Sequence, residues 1–117
     1  MTATRAQTDV WLRLCSLERL PRERGVAALL DGQQIAVFRT FDDDVYAIGN
    51  IDPFTGASVL ARGIVGTRGD APTVASPLHK QAFDLRTGAC LDEDGVSVPT
   101  YRVRVRDGFI EINRGAP

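Results

Sequence analysis

Short apolar segments separated by turn dipeptides constrain the fold of this chain more than any other feature. Asp31-Gly32 and Asp107-Gly108 each stand between two strand-like segments, and an Asp-Gly pair in that setting is a strong signal for a two-residue hairpin turn. The clearest alternation of apolar and polar residues lies at 101–106, where every second residue is an arginine: Arg102, Arg104 and Arg106. Many short strands with turn signals between them predict an all-β sandwich or barrel.

The size of the chain predicts a single domain. A chain of 117 residues buries roughly two thirds of its unfolded surface, so it needs no disulfide or metal to fold. We expect this domain to span residues 10–113, with flexible ends at 1–9 and 114–117. Residues 34–40 are expected to form a strand that buries one face, through Ile35 and Val37.

Some connections between the strands are expected to be helical or irregular. Ser16 is a candidate cap for one helical turn, and Thr55 is a candidate cap for a short helix over residues 56–62 that ends at Gly63. The glycine-rich stretch 63–72 is expected to be an exposed loop.

Charge and composition exclude several classes of function. The net charge of −1 and the sequence pI near 5.7 argue against a nucleic-acid partner, which would call for a concentrated basic excess. No apolar run is long enough to cross a bilayer, and residues 1–9 lack the apolar core of a signal peptide. We therefore expect a cytoplasmic protein without a membrane partner, in which Cys15 and Cys90 are free thiols.

Two segments have the outline of the cluster-binding loops of a Rieske iron–sulfur domain. A Rieske centre is held by two cysteine thiolates and two histidines, supplied by a Cys-x-His loop and a Cys-x-x-His loop. In this chain the first triplet is Asn50-Ile51-Asp52, and the second quartet, Ser76-Pro77-Leu78-His79, opens the stretch 76–88. Only His79 keeps a ligand type, and the carboxylate of Asp52 suits Mg²⁺ or Ca²⁺ better than a sulfide-bridged iron. The sequence therefore predicts a domain without a cluster or metal.

The residues at these degenerate ligand positions have ordinary structural interpretations. Asn50 and Asp52 are favoured in tight turns because their side chains accept hydrogen bonds from nearby backbone N–H groups. Ser76 before Pro77 is typical of the start of a turn. His79 is the only histidine, and we expect it to make a structural hydrogen bond in its loop rather than to act as a proton donor.

Residues 50–66 and 74–92 closely resemble the small subunit (NirD) of assimilatory NAD(P)H-dependent nitrite reductase, and the likeness extends over residues 11–112. The resemblance implies a Rieske-like domain of stacked antiparallel sheets with short helical turns. It also implies a part of an enzyme complex that has no cofactor of its own and is not catalytic when isolated. The implied partner is a large subunit that carries FAD, a [4Fe–4S] cluster and siroheme and reduces nitrite to ammonia with electrons from NAD(P)H.

A docking subunit needs a contact surface, and three regions are candidates. The first is the set of loop-tip residues Phe54, Leu78, His79 and Lys80, of which an exposed Phe and Leu could anchor an interface. The second is the arginine stripe at 101–106, for which a solvated face of an edge strand is the favoured interpretation. The third is the glycine-rich stretch 64–70.

Two other functions remain open at this point. One is a Rieske-type electron-transfer ferredoxin, which would require an iron–sulfur centre. The other is a small β-rich binding module unrelated to nitrogen metabolism.

Overall fold

The computed structural model describes residues 10–113, and the ends that were expected to be flexible, 1–9 and 114–117, lie outside this range. The described part contains ten strands and two 3-10 turns. The strands are β1 (Trp11–Ser16), β2 (Arg24–Leu30), β3 (Gln33–Arg39), β4 (Val45–Gly49), β5 (Ile64–Arg68), β6 (Ala71–Ala75), β7 (Ala82–Asp84), β8 (Thr100–Tyr101), β9 (Val103–Arg106) and β10 (Phe109–Asn113). The turns span Leu17–Arg19 and Leu60–Arg62.

The strands form three antiparallel sheets, which confirms the all-β prediction. Their orders are β1-β10-β9, β2-β3-β4-β8 and β5-β6-β7. No helix within residues 10–113 combines the length and the apolar character that a bilayer span requires. Cys15 is half-buried and Cys90 is buried, and both are free thiols, as expected.

Both Asp-Gly dipeptides form the predicted hairpin turns. Asp31 and Gly32 have φ angles of 51° and 83°, and Asp107 and Gly108 have 55° and 80°. Positive φ at both central residues is the signature of the type I′ turn, whose twist matches that of the flanking strands. The flanking residues pair directly, Leu30 with Gln33 and Arg106 with Phe109.

Strand β3 lies between two apolar clusters and buries both of its faces. Ile35 and Val37 pack with Ile110 and Ile112 in what we call the β10 cluster. The alternate residues of β3, Ala36 and Phe38, pack in the β7 cluster with Ile48, Leu60 and Phe83. The expectation of one buried face was therefore incomplete, because β3 is an inner strand with structure packed on each side of it.

The prediction of a helix over residues 56–62 is wrong, because the helical segment is much shorter. Only Leu60–Arg62 forms a 3-10 turn, preceded by Val59 without a side-chain cap. The Thr55 hydroxyl instead accepts a hydrogen bond from the N–H of Ala57 at 3.2 Å. Gly63 does end the turn, as expected. The earlier 3-10 turn at Leu17–Arg19 is present, but the Ser16 side chain does not cap it.

The stretch 63–72 is not a loop, because most of it forms the β5–β6 hairpin. Residues pair from Ile64 with Ala75 to Arg68 with Ala71. Gly63 is needed at the start of this hairpin, since a Cβ there would collide with the carbonyl oxygen of Ala75. The third candidate docking region is therefore a paired strand and not an adaptable loop.

Candidate functional site

The two loops that hold the degenerate ligand positions meet at one end of the molecule. Asn50 and Asp52 directly follow β4, and Ser76 directly follows β6. Asn50, Asp52 and Ser76 are all buried, whereas His79 is exposed. We call residues 50–56 loop one and residues 76–81 loop two. The hydroxyl of Ser76 donates a hydrogen bond of 2.6 Å to Oδ2 of Asp52 and so joins the two loops.

Asp52 organises loop one through both its side chain and its backbone. Its Oδ1 accepts a hydrogen bond from the N–H of Phe54 at 2.8 Å. Its carbonyl accepts one from the N–H of Gly56 at 2.7 Å, and its own N–H donates to the carbonyl of Ala57 at 2.8 Å. The predicted turn role of Asp52 is thus confirmed.

Asn50 connects loop one to the 3-10 turn at Leu60–Arg62. Its Oδ1 accepts a hydrogen bond from the N–H of Ala61 at 2.8 Å, and its carbonyl accepts one from the N–H of Leu60 at 3.1 Å. Its side-chain amide donates to Oε1 of Gln34 at 3.4 Å. The side chain of Asn50 thus accepts from a backbone N–H that is 11 residues away, and not from one in its own turn as predicted. Because the N–H groups of Leu60 and Ala61 are bonded to Asn50, helical structure begins only at Leu60.

Ser76 plays the corresponding role in loop two. Its Oγ accepts a hydrogen bond from the N–H of Leu78 at 3.3 Å. The backbone closes the loop through Ser76 N–H to the Gln81 carbonyl at 2.9 Å and Lys80 N–H to the Ser76 carbonyl at 3.0 Å. The closure places Lys80 in the left-handed region, with φ of 66°.

The expectation for His79 was wrong. Its side chain is exposed and has no hydrogen-bond partner among residues 10–113. The reason is that the turn bonds of loop two are made by Ser76 and by the backbone, so nothing in the loop requires an imidazole donor or acceptor.

The candidate docking residues divide into exposed and half-buried ones. Leu78 is 47% exposed, and His79 and Lys80 are also exposed. Phe54 is half-buried, and its ring packs against that of Phe83 with centroids 6.3 Å apart, so it is not the free anchor that was expected.

Ile51 is an exposed apolar residue of loop one that sequence reasoning missed. It is 46% exposed and lies between the buried side chains of Asn50 and Asp52. An apolar residue between two turn-forming polar residues was the signal, since neighbouring side chains in extended backbone point to opposite sides. We call Ile51, Leu78, His79 and Lys80 the loop-tip patch.

The arginine stripe is largely engaged within the domain. The Arg104 guanidinium donates to Oε1 of Glu111 at 2.7 Å and lies 4.1 Å from the centroid of the Trp11 ring. Arg102 lies over the same ring at 5.6 Å. Hydrogen bonds from Arg104 and then from Arg13 hold the pKa of Glu111 below its usual value. Because β9 is an edge strand, the structure agrees with the interpretation of these arginines as the polar face of an edge.

The chemistry of the loop residues does not fit a Rieske cluster. Such a cluster needs two thiolates and two imidazoles, whereas these positions present an amide, a carboxylate, a hydroxyl and a single imidazole. The carboxylate and the hydroxyl are bonded to each other. Cys15 lies in β1 and Cys90 follows β7, outside both loops. Within residues 10–113, no group of three or more His, Cys, Asp or Glu side chains is arranged to hold a metal ion.

Comparison with known proteins places this domain in a family. The Rieske-like [2Fe-2S] domain family matches residues 10–113. The nitrite reductase (NADH) small subunit of Escherichia coli K12 is 43% identical over 103 residues, which are 87% of this chain and 95% of that protein. A crystal structure from Mycobacterium tuberculosis, described as an NADH-dependent nitrite reductase small subunit, superposes with a TM-score of 0.88 at 51% identity and covers 92% of this chain and 97% of that one.

The same domain also occurs within a longer chain. The nitrite reductase [NAD(P)H] large subunit of Klebsiella oxytoca is 42% identical over 100 residues, which are 86% of this chain but only 10% of that protein. Taken with the full-length matches, the all-β fold and the paired loops, these likenesses establish that the chain belongs to the Rieske-like domain family and, within it, to the small subunits of NAD(P)H-dependent nitrite reductase.

Proposed function

We propose that this chain is the non-catalytic, cluster-free small subunit of a cytoplasmic nitrite reductase and that it binds the large subunit of that enzyme. The large subunit would carry FAD, a [4Fe–4S] cluster and siroheme, and would reduce nitrite to ammonia with electrons from NAD(P)H. This chain would contribute the contact surface and hold the complex together.

The observation that carries the proposal is the near-complete match to separate small subunits together with the match to part of a large-subunit chain. A domain that is joined covalently to its partner has a high effective concentration beside it and does not need to diffuse between partners. That arrangement fits a fixed subunit better than a carrier that shuttles electrons.

The loop-tip patch is the docking surface that we propose. Two exposed apolar side chains, Ile51 and Leu78, lie at the end of the molecule where the loops meet, and Lys80 adds a positive charge beside Leu78. Protein interfaces usually have an apolar core, where a few anchor residues contribute most of the binding energy, and a polar rim around that core. The charge of Lys80 would favour an acidic surface on the large subunit and speed association.

Co-expression with the large subunit tests the proposed function. We expect the two chains to co-purify, and we expect NAD(P)H-dependent nitrite reduction to fall when this chain is omitted. Equal activity of the large subunit with and without this chain would contradict the proposal.

A double substitution tests the docking surface. Leu78→Ser with Lys80→Ala should weaken binding to the large subunit by about tenfold or more, in the range of interface hot spots, while the thermal midpoint stays within a few degrees. The matched control is Phe41→Ser, which removes a 68% exposed ring from the β3–β4 turn, at the end of β4 opposite loop one. Equal effects of the two variants would place the docking surface elsewhere.

The ferredoxin alternative is separated from this proposal by a measurement of iron. An electron-transfer ferredoxin must hold a cluster, and the donor set of the two loops does not supply four suitable ligands. We expect purified protein, made with ample iron and sulfide, to contain no stoichiometric iron and no visible absorbance. A brown protein with two irons per chain would restore the ferredoxin function.

A further inference from the structure

We propose that the buried hydrogen bond between Asp52 and Ser76 holds the two loops together in place of a cluster. It would thereby fix the positions of the loop-tip residues for binding to the partner without a metal. In a Rieske domain the cluster ties the two loops together because each loop supplies ligands to it. Here one ligand position of each loop, Asp52 in loop one and Ser76 in loop two, joins the loops directly. The docking half of this inference rests on the proposed function, whereas the loop-tying half does not.

The first argument is the geometry of the contact. The distance of 2.6 Å between Ser76 Oγ and Asp52 Oδ2 falls in the short range typical of a hydroxyl that donates to a carboxylate, a contact about twice as strong as a neutral hydrogen bond when the carboxylate is charged. Both residues have no solvent exposure, so water does not compete for either atom. The oxygens are in direct contact and leave no space for a group between them.

The second argument is the position of the contact in the hydrogen-bond network. Asp52 and Ser76 are 24 residues apart, and theirs is the only hydrogen bond that joins loop one to loop two within residues 10–113. The other bonds of each loop are local to it or lead to a neighbouring segment. Removing this one contact would therefore leave the internal hydrogen bonds of each loop in place and delete the hydrogen bond that sets the position of one loop relative to the other.

The third argument is the cost of keeping Asp52 where it is. A buried carboxylate is unfavourable unless hydrogen bonds or a cation compensate for the lost water. Asp52 has no ion pair among the described residues, and its compensation consists of the Ser76 hydroxyl and the Phe54 N–H. An isolated turn would need only the Phe54 contact, so the second oxygen serves the connection between the loops.

The hydrogen bond affects the loop-tip patch because both exposed apolar residues lie close in sequence to Asp52 or Ser76. Ile51 directly precedes Asp52 in loop one, and Leu78 follows Ser76 by two residues and donates its N–H to the same Oγ. The one hydrogen bond thus fixes the spacing of the two exposed apolar anchors. A partner that recognises both anchors at once would lose affinity when their spacing is free to vary, because binding would then have to order the loops.

The test is a double-mutant cycle of Ser76→Ala and Asp52→Asn in the full chain, read by amide hydrogen exchange and by binding to the large subunit in buffer with a chelator. We expect each single variant to speed exchange in both loops by about tenfold or more, the range for a hydrogen bond to a charged group, with smaller changes in β1 and β10. The double variant should be no worse than the more damaging single one, because the pair acts as a unit. Binding should weaken about tenfold in each variant, and the chelator should not affect the wild-type protein.

A matched control removes a hydrogen bond of loop one that does not reach loop two. Thr55→Ala deletes the bond to the Ala57 N–H and should leave exchange in loop two and binding unchanged. If Asp52→Asn does not fold, Ser76→Ala alone decides the exchange test against this control.

The outcomes separate the two halves of the inference. Additive effects in the cycle, or exchange in loop two that does not change in Ser76→Ala, would overturn the loop-tying role. Faster exchange with unchanged affinity would overturn the shaping of the patch. A wild-type chain that does not bind the large subunit would refute the proposed function, while the exchange data would still decide whether the hydrogen bond ties the loops.

Discussion

Lys80 offers a substitution that should stabilise the fold while it weakens docking. Its φ of 66° lies in the left-handed region, which costs an ordinary L-residue roughly 1–2 kcal/mol. Glycine adopts this conformation without that cost, but it loses about 0.5–1 kcal/mol through the greater freedom of the unfolded chain. The difference predicts that Lys80→Gly raises the free energy of unfolding by about 0–1.5 kcal/mol, with a central value of ~0.7 kcal/mol.

Lys80→Ala is the matched variant, because it removes the same charge and keeps the same backbone strain. Its stability should remain within ~0.5 kcal/mol of the wild-type protein, as is usual for an exposed side chain. Both variants should weaken association with the large subunit to a similar extent, since both delete the positive charge of the loop-tip patch. The effect should shrink as salt is added, because salt screens exposed charges.

Urea unfolding followed by circular dichroism measures the stability difference, since a change in midpoint at constant slope reports a change in stability. Binding kinetics at two salt concentrations measure the docking difference. The reasoning would be refuted by a Lys80→Gly variant that is less stable than Lys80→Ala. It would also be refuted by a binding loss in Lys80→Gly that Lys80→Ala does not share, because the charge would then not be the cause.

Three other predictions concern the buried ring of Phe38, the ion pairs of Glu111 and the exposed ring of Phe41. Phe38→Ala should destabilise the fold by ~3–5 kcal/mol in urea unfolding, because the ring is fully buried and its removal leaves a cavity; a loss below ~1 kcal/mol would contradict the packing described. Glu111 has a lowered pKa in the folded state, so its contribution is present above its unfolded pKa near 4.5 and is lost as the pH falls through the folded value. Unfolding midpoints of Glu111→Gln should therefore fall less between pH 7 and pH 3 than those of the wild-type protein, and parallel curves would argue against these ion pairs. Phe41→Ser should change stability by no more than about 0.5 kcal/mol, and a larger loss in thermal melts would show that this exposed ring packs against the domain.

The parts of the fold that depend on local chemistry could be predicted from the sequence. Asp31-Gly32 and Asp107-Gly108 form the expected turns because positive φ is a property of those two residues themselves. The helix expected over residues 56–62 failed for the opposite reason. Asn50, which is distant in sequence, bonds the N–H of Ala61 and the N–H of Leu60, and these tertiary bonds limit the helical turn. The stretch 63–72 was misjudged because its glycines suggested a loop, whereas pairing with β6 makes it a strand.

In the candidate site, too, the features set by local chemistry could be predicted and those set by tertiary contacts could not. The correspondence of Asn50, Asp52, Ser76 and His79 with ligand positions could be derived from spacing. The turn roles of Asp52 and Ser76 could be derived as well, whereas the distant partner of the Asn50 side chain, the N–H of Ala61, could not. The contact between Asp52 and Ser76 could not, because no pattern in one loop indicates which atom of the other it will meet. The burial of Phe54 against Phe83 and the exposure of Ile51 likewise depend on how the loops lie on the domain.

The two-sided burial of β3 has a consequence for how the domain melts. Ile35 and Val37 belong to one apolar cluster, and Ala36 and Phe38 belong to the other. Because β3 is part of both clusters, unfolding of either cluster would displace β3 and so disrupt the other. The domain should therefore show a single calorimetric transition, without a half-molten intermediate. Loop one, carried by β4 directly beside β3, should keep its shape up to the temperature at which the whole domain unfolds.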